Sequence, residues 1–318
     1  MKKKQKISLV IPVFNEAKNI NPLYQEIYRA MNEIQAEFEV IIVNDGSTDN
    51  TQEVIESLYS RDASHIRGIQ LLTQSGKAAA LHAGFQEATG EIIFTLDGDL
   101  QDDPQEIPRF LDKLNEGYDL VSGWKKKRKD SFIKNNTSKI FNAATNMISR
   151  VKLHDFNCGF KAYRVEVVKN LSLYGELHRY IPVLIAAKGY RVAEIPVHHR
   201  ERLTGKSKYG ISRFIHGFLD LVTVIFITRF HSRPLHLFGY VGISFFVIGF
   251  IIGLYLTSVK LFGHQSIGER PLLLFSVMLM IMGVQIGVTG IVGEQIAGLM
   301  YKNDKNYIVK KLVNAEKD

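Results

Sequence analysis

Two stretches of this chain carry no formal charge, Leu235 to Val259 and Pro271 to Gly293. Each exceeds the roughly 20 residues that a helix needs to cross the hydrocarbon core of a bilayer. Buried core helices seldom reach that length without a charged residue. The C-terminal part is therefore expected to be a two-helix transmembrane hairpin, with spans at about 235–259 and 271–296. The mean hydropathy of −0.02 hides this, because the apolar residues are unevenly distributed.

The flanks give an orientation. Arg229, Arg233, Lys302, Lys305, Lys310 and Lys311 lie on the outer sides of the two runs, and the connection holds only Lys260, Glu269 and Arg270. By the positive-inside rule both termini face the cytoplasm. Met1-Lys-Lys-Lys-Gln-Lys leads into a short apolar run and not into the long h-region of a signal peptide, so the N-terminal part is expected to stay there. The single cysteine, Cys158, excludes an intramolecular disulfide framework. A net charge of +8 fits nucleic acid or an anionic membrane, and the hairpin favours the membrane, with no nucleic-acid partner expected.

Residues 7 to about 125 alternate strand-like and helix-like patterns. Ser8–Val13, Glu39–Val43, Ile66–Leu72, Ile92–Leu96 and Asp119–Gly123 are short apolar runs. Between the first two, Ala17–Asn32 places Ile20, Leu23, Ile27 and Met31 on one helical face. A further helix is expected after Asp49 or Asn50, with Asn50 and Glu53 resembling a capping box. Continuous apolar strands alternating with helices predict a mostly parallel α/β sheet covered on both faces. Gly159–Tyr163 and Arg191–Val197 are candidates for added strands.

Glu91-Ile-Ile-Phe-Thr-Leu-Asp97-Gly-Asp99-Leu-Gln101 runs an apolar strand into paired carboxylates. Open α/β sheets bind ligands at the carboxyl ends of their strands. Two carboxylates and an amide there are hard oxygen ligands for Mg²⁺ or Mn²⁺, which normally clamps substrate phosphates. The first strand ends in Pro12-Val13-Phe14-Asn15-Glu16 and the second in Asp45-Gly46-Ser47. These residues suit nucleotide contacts, and equally helix capping or turn formation. No G-x-G-x-x-G follows the first strand and no G-x-x-x-x-G-K-[ST] occurs, which argues against a dinucleotide site and excludes a P-loop.

Four motifs occur in order: Ile11-Pro12-Val13-x-Asn15-Glu16, Asp45-Gly-Ser-Thr-Asp49, Gly76-Lys77-x-x-Ala80-Leu81-x-x-Gly84 and Asp97-x-Asp99-Leu-Gln101-Asp102. The set resembles the inverting family 2 glycosyltransferases, which have the GT-A (Rossmann-like) fold. Arg200-x-Arg202-x-x-Gly205-x-Ser207-Lys208-Tyr209, followed by two spans, is similar to the polyisoprenyl-phosphate glycosyltransferases, among them dolichol-phosphate mannose synthases and bacterial bactoprenol glucosyltransferases. The resemblance implies that Pro12, Val13, Asn15, Glu16, Asp45, Ser47, Lys77 and Asp97 hold the nucleotide. It implies that Asp97, Asp99 and Gln101 lie at the metal and diphosphate. It places Arg200, Arg202, Ser207 and Lys208 over the donor diphosphate and acceptor phosphate, with Arg202 counted among the catalytic residues. Thr73-Gln74-Ser75 departs from the Asn-aromatic pair of the family pattern.

A second basic run, Trp124-Lys-Lys-Lys-Arg128-Lys129, follows the strand at Asp119–Gly123. Lys125 and Arg128 are read either as ligands of the lipid phosphate or as a general attraction to anionic head groups. Asp155 stands where many family 2 enzymes carry a general base, but a phosphate monoester is already largely dianionic at neutral pH. Asp155 therefore acts as base, orients the acceptor, or binds sugar hydroxyls. His154 and Cys158 lack companions at ligand spacing and are read as structural. Gly210–Ser232 has an apolar face of Ile211, Phe214, Ile215, Phe218, Val222, Ile225 and Phe226, consistent with an interfacial helix or with one packed on the globular part.

The expected organisation is a cytoplasmic catalytic domain over 1–209, an amphipathic helix over 210–233, the hairpin over 234–300 and a cytoplasmic tail over 301–318. The expected activity is metal-dependent transfer of a hexose, glucose from UDP-glucose by the resemblance, onto a polyprenyl phosphate such as undecaprenyl phosphate. A processive polysaccharide synthase is the first rival, but its Gln-x-x-Arg-Trp motif is missing, since the one tryptophan, Trp124, follows Ser122-Gly123. A nucleotide-binding membrane scaffold without activity is the second. Gly283, Gly287, Gly290 and Gly293 suit close helix packing, and a homo-oligomer is expected.

Overall fold

The computed structural model describes residues 5–126, 151–200 except 170, 172 and 174, then 223, 226, 234–263, 266, 268 and 270–303. The chain forms two compact units, Met1–Val224 and Ile225–Asp318.

In the first unit the elements follow in order: β1 (Lys6–Val13), α1 (Ala17–Glu33), β2 (Glu37–Asn44), α2 (Thr51–Arg61), β3 (Ile66–Gln70), α3 (Lys77–Glu87), β4 (Ile92–Thr95), α4 (Ile107–Asn115), β5 (Leu120–Trp124), β6 (Lys161–Arg164), α5 (Val165–Lys169), α6 (Ile181–Ala187) and β7 (Val192–Pro196). The strands form one sheet ordered β3-β2-β1-β4-β6-β5-β7. β1 pairs in parallel with both β2 and β4. β6 is inserted antiparallel between β4 and β5, and β5 pairs in parallel with β7. The parallel expectation holds for the N-terminal half, and the antiparallel β6 is an addition to it.

Successive residues of β2 from Phe38 to Asn44 are all buried, so both faces of the sheet are covered there. In α1 the anticipated stripe of Ile20, Leu23, Ile27 and Met31 is buried. Burying each such side chain is worth about 1.5–3 kcal/mol over leaving it in water. The chain leaves β1 for β2 and β3 on one side, then returns to β4 on the other. The C-terminal ends of β1 and β4 thus flank a switch point, where doubly wound sheets open a ligand crevice. At α2 the expected capping box is replaced. The Asn50 side chain makes no capping bond, and the Asp49 carboxylate accepts from the Thr51 amide at 3.1 Å.

The second unit contains two long helices, α7 (Pro234–Gly263) and α8 (Pro271–Asn303). Both are long and apolar enough to cross a membrane. They touch at small residues: a Cβ on Gly283 would lie 2.6 Å from the Gly242 carbonyl oxygen. Ser276 Oγ donates to the Gly249 carbonyl at 2.8 Å. At the far end of α8, the Glu294 carboxylate accepts from the Leu235 amide at 3.1 Å, satisfying a donor at the start of α7. Ile243, Ile251, Phe262, Leu274 and Ile281 remain exposed, as lipid-facing side chains would be. The expected interfacial helix at Gly210–Ser232 lies almost wholly outside the described residues.

Candidate active site

The loops after β1, β2 and β4 meet at the carboxyl edge of the sheet. Asn15 joins the first two. Its backbone adopts φ +57°, its Oδ1 accepts from the Thr48 amide at 2.8 Å, and its own amide donates to Ser47 Oγ at 2.9 Å. Glu16 accepts from Asn19 Nδ2 at the start of α1. Pro12 and Val13 form the last rungs of β1, and the Val13 carbonyl accepts from the Asp45 amide at 2.9 Å.

Asp45 is buried, and its carboxylate accepts from the Ser75 amide at 2.7 Å and the Gly76 amide at 2.9 Å. It thereby fixes the turn into α3, where Gly76 takes φ +91°. Lys77, the first residue of α3, reaches across and ion-pairs with Asp97.

Beyond β4, Asp97 sits against the backbone of Gly159, where no Cβ would fit. Burial opposes its ionisation, but the ammonium groups of Lys77 and Lys125 hold its carboxyl below the ordinary range. Asp99 goes the other way. Burial first, and then the charges of Asp97 and Asp102, push its carboxyl up to about 6. Asp99 Oδ1 accepts from the Gln101 amide at 3.2 Å, and Gln101 Nε2 donates to the Arg200 carbonyl at 3.3 Å. Among the described residues no three His, Cys, Asp or Glu side chains form a ready-made metal cluster. One or two carboxylates suit Mg²⁺ or Mn²⁺, which fills its remaining positions with water and substrate phosphates. A carboxyl destabilised by two neighbouring acids is a donor that a divalent cation would relieve, so the residues fit the ion.

The basic residues are placed less simply. Lys125 is withdrawn from solvent and lies 3.3 Å from the buried carboxylate of Asp102, so its charge is already compensated. Arg200 is turned onto Glu26, at 2.7 Å, and Asp103, at 3.0 Å. Its amide donates to the Gln101 carbonyl at 3.0 Å, and His199 bridges Asp102, so this strand is stitched to the Asp-x-Asp loop. The resemblance implied that Arg200 faces phosphate, and Lys125 was read as a ligand of the lipid phosphate or as a general attraction to head groups; here each pairs with acids of its own chain. Arg128, Arg202, Ser207 and Lys208 lie outside the described residues.

Asp155 is buried and accepts from the Asn157 amide at 3.0 Å. His154 stacks on Trp124 with ring centroids 4.1 Å apart and pairs with Glu194, a packing role as expected. Cys158 is buried, and burial pushes its thiol up to about 12, so it is no nucleophile. Sequence reasoning missed Asp102 as the hub of this corner and Lys161 and His178 beneath Asp97. Only the position of Asp102, three residues after Asp99, could have pointed to it.

Residues 8–172 match the profile described as "Glycosyl transferase family 2". The chain belongs to this family. It is a glycosyltransferase, and residues 233–299 match a second profile, the "GtrB C-terminal hairpin". The chain is 39% identical over 312 residues to a dodecaprenyl-phosphate galacturonate synthase of Rhizobium johnstonii, covering 96% of this chain and 92% of the relative. It is 35% identical over 316 residues to an undecaprenyl-phosphate 4-deoxy-4-formamido-L-arabinose transferase of Yersinia pestis, covering 98% and 95%. Among solved structures, glucosyl-3-phosphoglycerate synthase of Mycobacterium tuberculosis, crystallised with Mn²⁺, UDP and phosphoglyceric acid, superposes with a TM-score of 0.54 at 18% identity, covering 70% of this chain and 78% of that one. At that identity the likeness shows the shared GT-A fold.

Proposed function

We propose that this glycosyltransferase moves a sugar from a nucleotide donor onto a polyprenyl phosphate, in one inverting displacement assisted by Mg²⁺ or Mn²⁺. The observation that carries it is the pairing of an Asp97–Asp99 crevice with a hairpin of two membrane-length helices in one family 2 chain. Both curated relatives are named for polyprenyl-phosphate sugar transfer, and they match nearly the whole chain. Their sugars differ from each other and from glucose, so UDP-glucose is one donor to test among several.

Asp99 and Gln101, with Asp97 beside them, are the residues that would hold the ion. Such an ion stabilises the nucleoside diphosphate as negative charge develops on it. Asn15, Glu16, Ser47 and the turn fixed by Asp45 form the floor beneath the nucleotide. The acceptor phosphate attacks the anomeric carbon directly. Its second pKa near 6 makes it a nucleophile at neutral pH without a base, so Asp155 orients the acceptor or the sugar. Arg128, Arg202 and Lys208 supply the cationic surroundings of the two phosphates and Ser207 a hydroxyl, while Lys125 and Arg200 reach them only by leaving Asp102 and Glu26. We further propose the domain limits stated above, residence in the cytoplasmic membrane with the catalytic domain and both termini in the cytoplasm, and a homo-oligomer.

The test supplies purified protein with Mn²⁺ or Mg²⁺, polyprenyl phosphate and a panel of labelled nucleotide sugars. Label in the organic phase from one donor, abolished by a chelator, is expected. A growing water-soluble polymer would replace this reading with the processive synthase.

A further inference from the structure

β7 ends at Pro196, but the chain runs on beside the Asp-x-Asp loop. The His198 amide donates to the Glu106 carboxylate at 3.3 Å, and His199 forms an antiparallel bridge with Asp102. The Arg200 amide then donates to the Gln101 carbonyl at 3.0 Å. Gln101 returns the contact with its side chain, Nε2 donating to the Arg200 carbonyl at 3.3 Å. Gln101 is thus joined to Arg200 by main chain and side chain at once. A primary amide carries its donor and its acceptor on opposite corners. Committing Nε2 to that carbonyl turns Oε1, the one side-chain atom of Gln101 that can ligate a cation, away from Arg200.

The Arg200 side chain keeps that carbonyl in place. Nη1 donates to both carboxylate oxygens of Glu26 on α1, at 2.9 and 2.7 Å, and Nη2 pairs with Asp103 at 3.0 Å. A single exposed ion pair fixes little, but a guanidinium forked onto one acid and bound to a second, on another element, has little freedom left. It is also poorly placed to grip phosphate. An incoming phosphate meets the charges of Glu26 and Asp103 and has to displace one of them.

We infer that Arg200 is a positioning residue for the metal ligand Gln101, and that Glu26, distant in sequence, acts on the ion through it. This rests on the reading above in which Asp99 and Gln101 hold the ion, and it gives Arg200 a task other than binding phosphate. The groups that orient a metal ligand matter to affinity nearly as much as the ligand does. Without the guanidinium the end of this strand is released, and the Gln101 amide is free to turn its nitrogen where its oxygen belongs. Coulomb's law alone gives the opposite sign, because deleting a cation near a cation site should strengthen binding there.

The experiment titrates the purified full chain with Mn²⁺, with and without UDP, following free Mn²⁺ by electron paramagnetic resonance. Arg200→Met should weaken Mn²⁺ binding by about 10-fold in both series, the lower end of the range for groups that orient a metal ligand. Glu26→Gln should weaken it less, because Asp103 still holds the guanidinium, and Arg200→Lys should keep most of the affinity. In a Gln101→Ala background Arg200→Met should have no further effect. Tighter or unchanged Mn²⁺ binding in Arg200→Met overturns the inference. A loss seen only with UDP also overturns it, making Arg200 a phosphate ligand. An equal loss in the Gln101→Ala background does so too, making Arg200 a support of the fold in general. A wild type that binds Mn²⁺ but labels no lipid from any donor sinks the glycosyltransferase reading and leaves this inference to the titrations; a wild type that binds no Mn²⁺ sinks this one.

Discussion

Lys125 Nζ lies 3.3 Å from Asp102 Oδ1, and the two side chains are 10% and 1% exposed. The contact is an ion pair without hydrogen-bond geometry, since Asp102 Oδ1 has no hydrogen-bonding partner. Asp102 Oδ2 accepts from the Asp97 amide at 3.3 Å, so the pair connects the end of β5 to the Asp-x-Asp loop. Removing one member strands the other in a buried position, at a cost of about 3–5 kcal/mol. Asp102→Asn and Lys125→Met should each lower stability to denaturant, and the double variant should be more stable than the worse single. Additive losses in that cycle would show that the two charges act independently.

A second prediction concerns Gly159. A Cβ at this position would run into the Asp97 carboxylate. Gly159→Ala should displace Asp97 and cut turnover by about 100-fold, the usual effect of an ångström-scale misplacement, with the circular dichroism spectrum retained. Turnover within threefold of wild type would mean that the position of Asp97 does not matter.

The pH dependence of stability follows from Asp99. Its carboxyl stands at about 6 in the folded protein against an ordinary value of 3.8. Between those limits the folded state keeps a proton that the unfolded chain releases, so through this group the fold loses stability as pH rises toward 6 and stays penalised above it. Without divalent cations, Asp99→Asn should melt higher than wild type at pH 7.5, with the advantage gone near pH 4. Mn²⁺ at pH 7.5 should raise the melting temperature of wild type and not of the variant. Equal melting temperatures at pH 7.5 would contradict the electrostatic account.

The hairpin offers a paired test. A side chain at Gly283 collides with the Gly242 carbonyl and the Phe246 amide, whereas one at Gly287 meets nothing within 4 Å. Gly283→Leu should lower the thermal inactivation temperature in detergent by several degrees, and Gly287→Leu should leave it unchanged. Equal effects would mean that the two helices do not pack through this contact.

Much of this was legible in the residues, for identifiable reasons. The strands β1, β2 and β4 announce themselves because a parallel strand covered on both faces is continuously apolar. The two C-terminal helices do so by length without charge. The antiparallel β6 was less legible, because Lys161 interrupts its apolar run and nothing local reveals that the chain has reversed direction. In the site, the Asp97–Asp99 motif carried its own signal. The partners of Asp45, Lys125 and Arg200 did not, because Gly76, Asp102 and Glu26 come from other elements, and in the case of Arg200 from the opposite end of the unit's sequence. A basic residue in a run looks the same whether it faces phosphate or a buried acid. That choice is made by tertiary packing.

The central claim is that the sugar passes directly to the lipid phosphate, and the product's own linkage tests it most directly. The organic-phase product formed from an α-linked nucleotide sugar would be purified and its anomeric centre and phosphorus content read by ¹H and ³¹P NMR. The account predicts one phosphorus between sugar and lipid, with the anomeric configuration inverted to β. Two phosphorus atoms would mean transfer of a sugar phosphate, and retained configuration would mean a second displacement; either would contradict it.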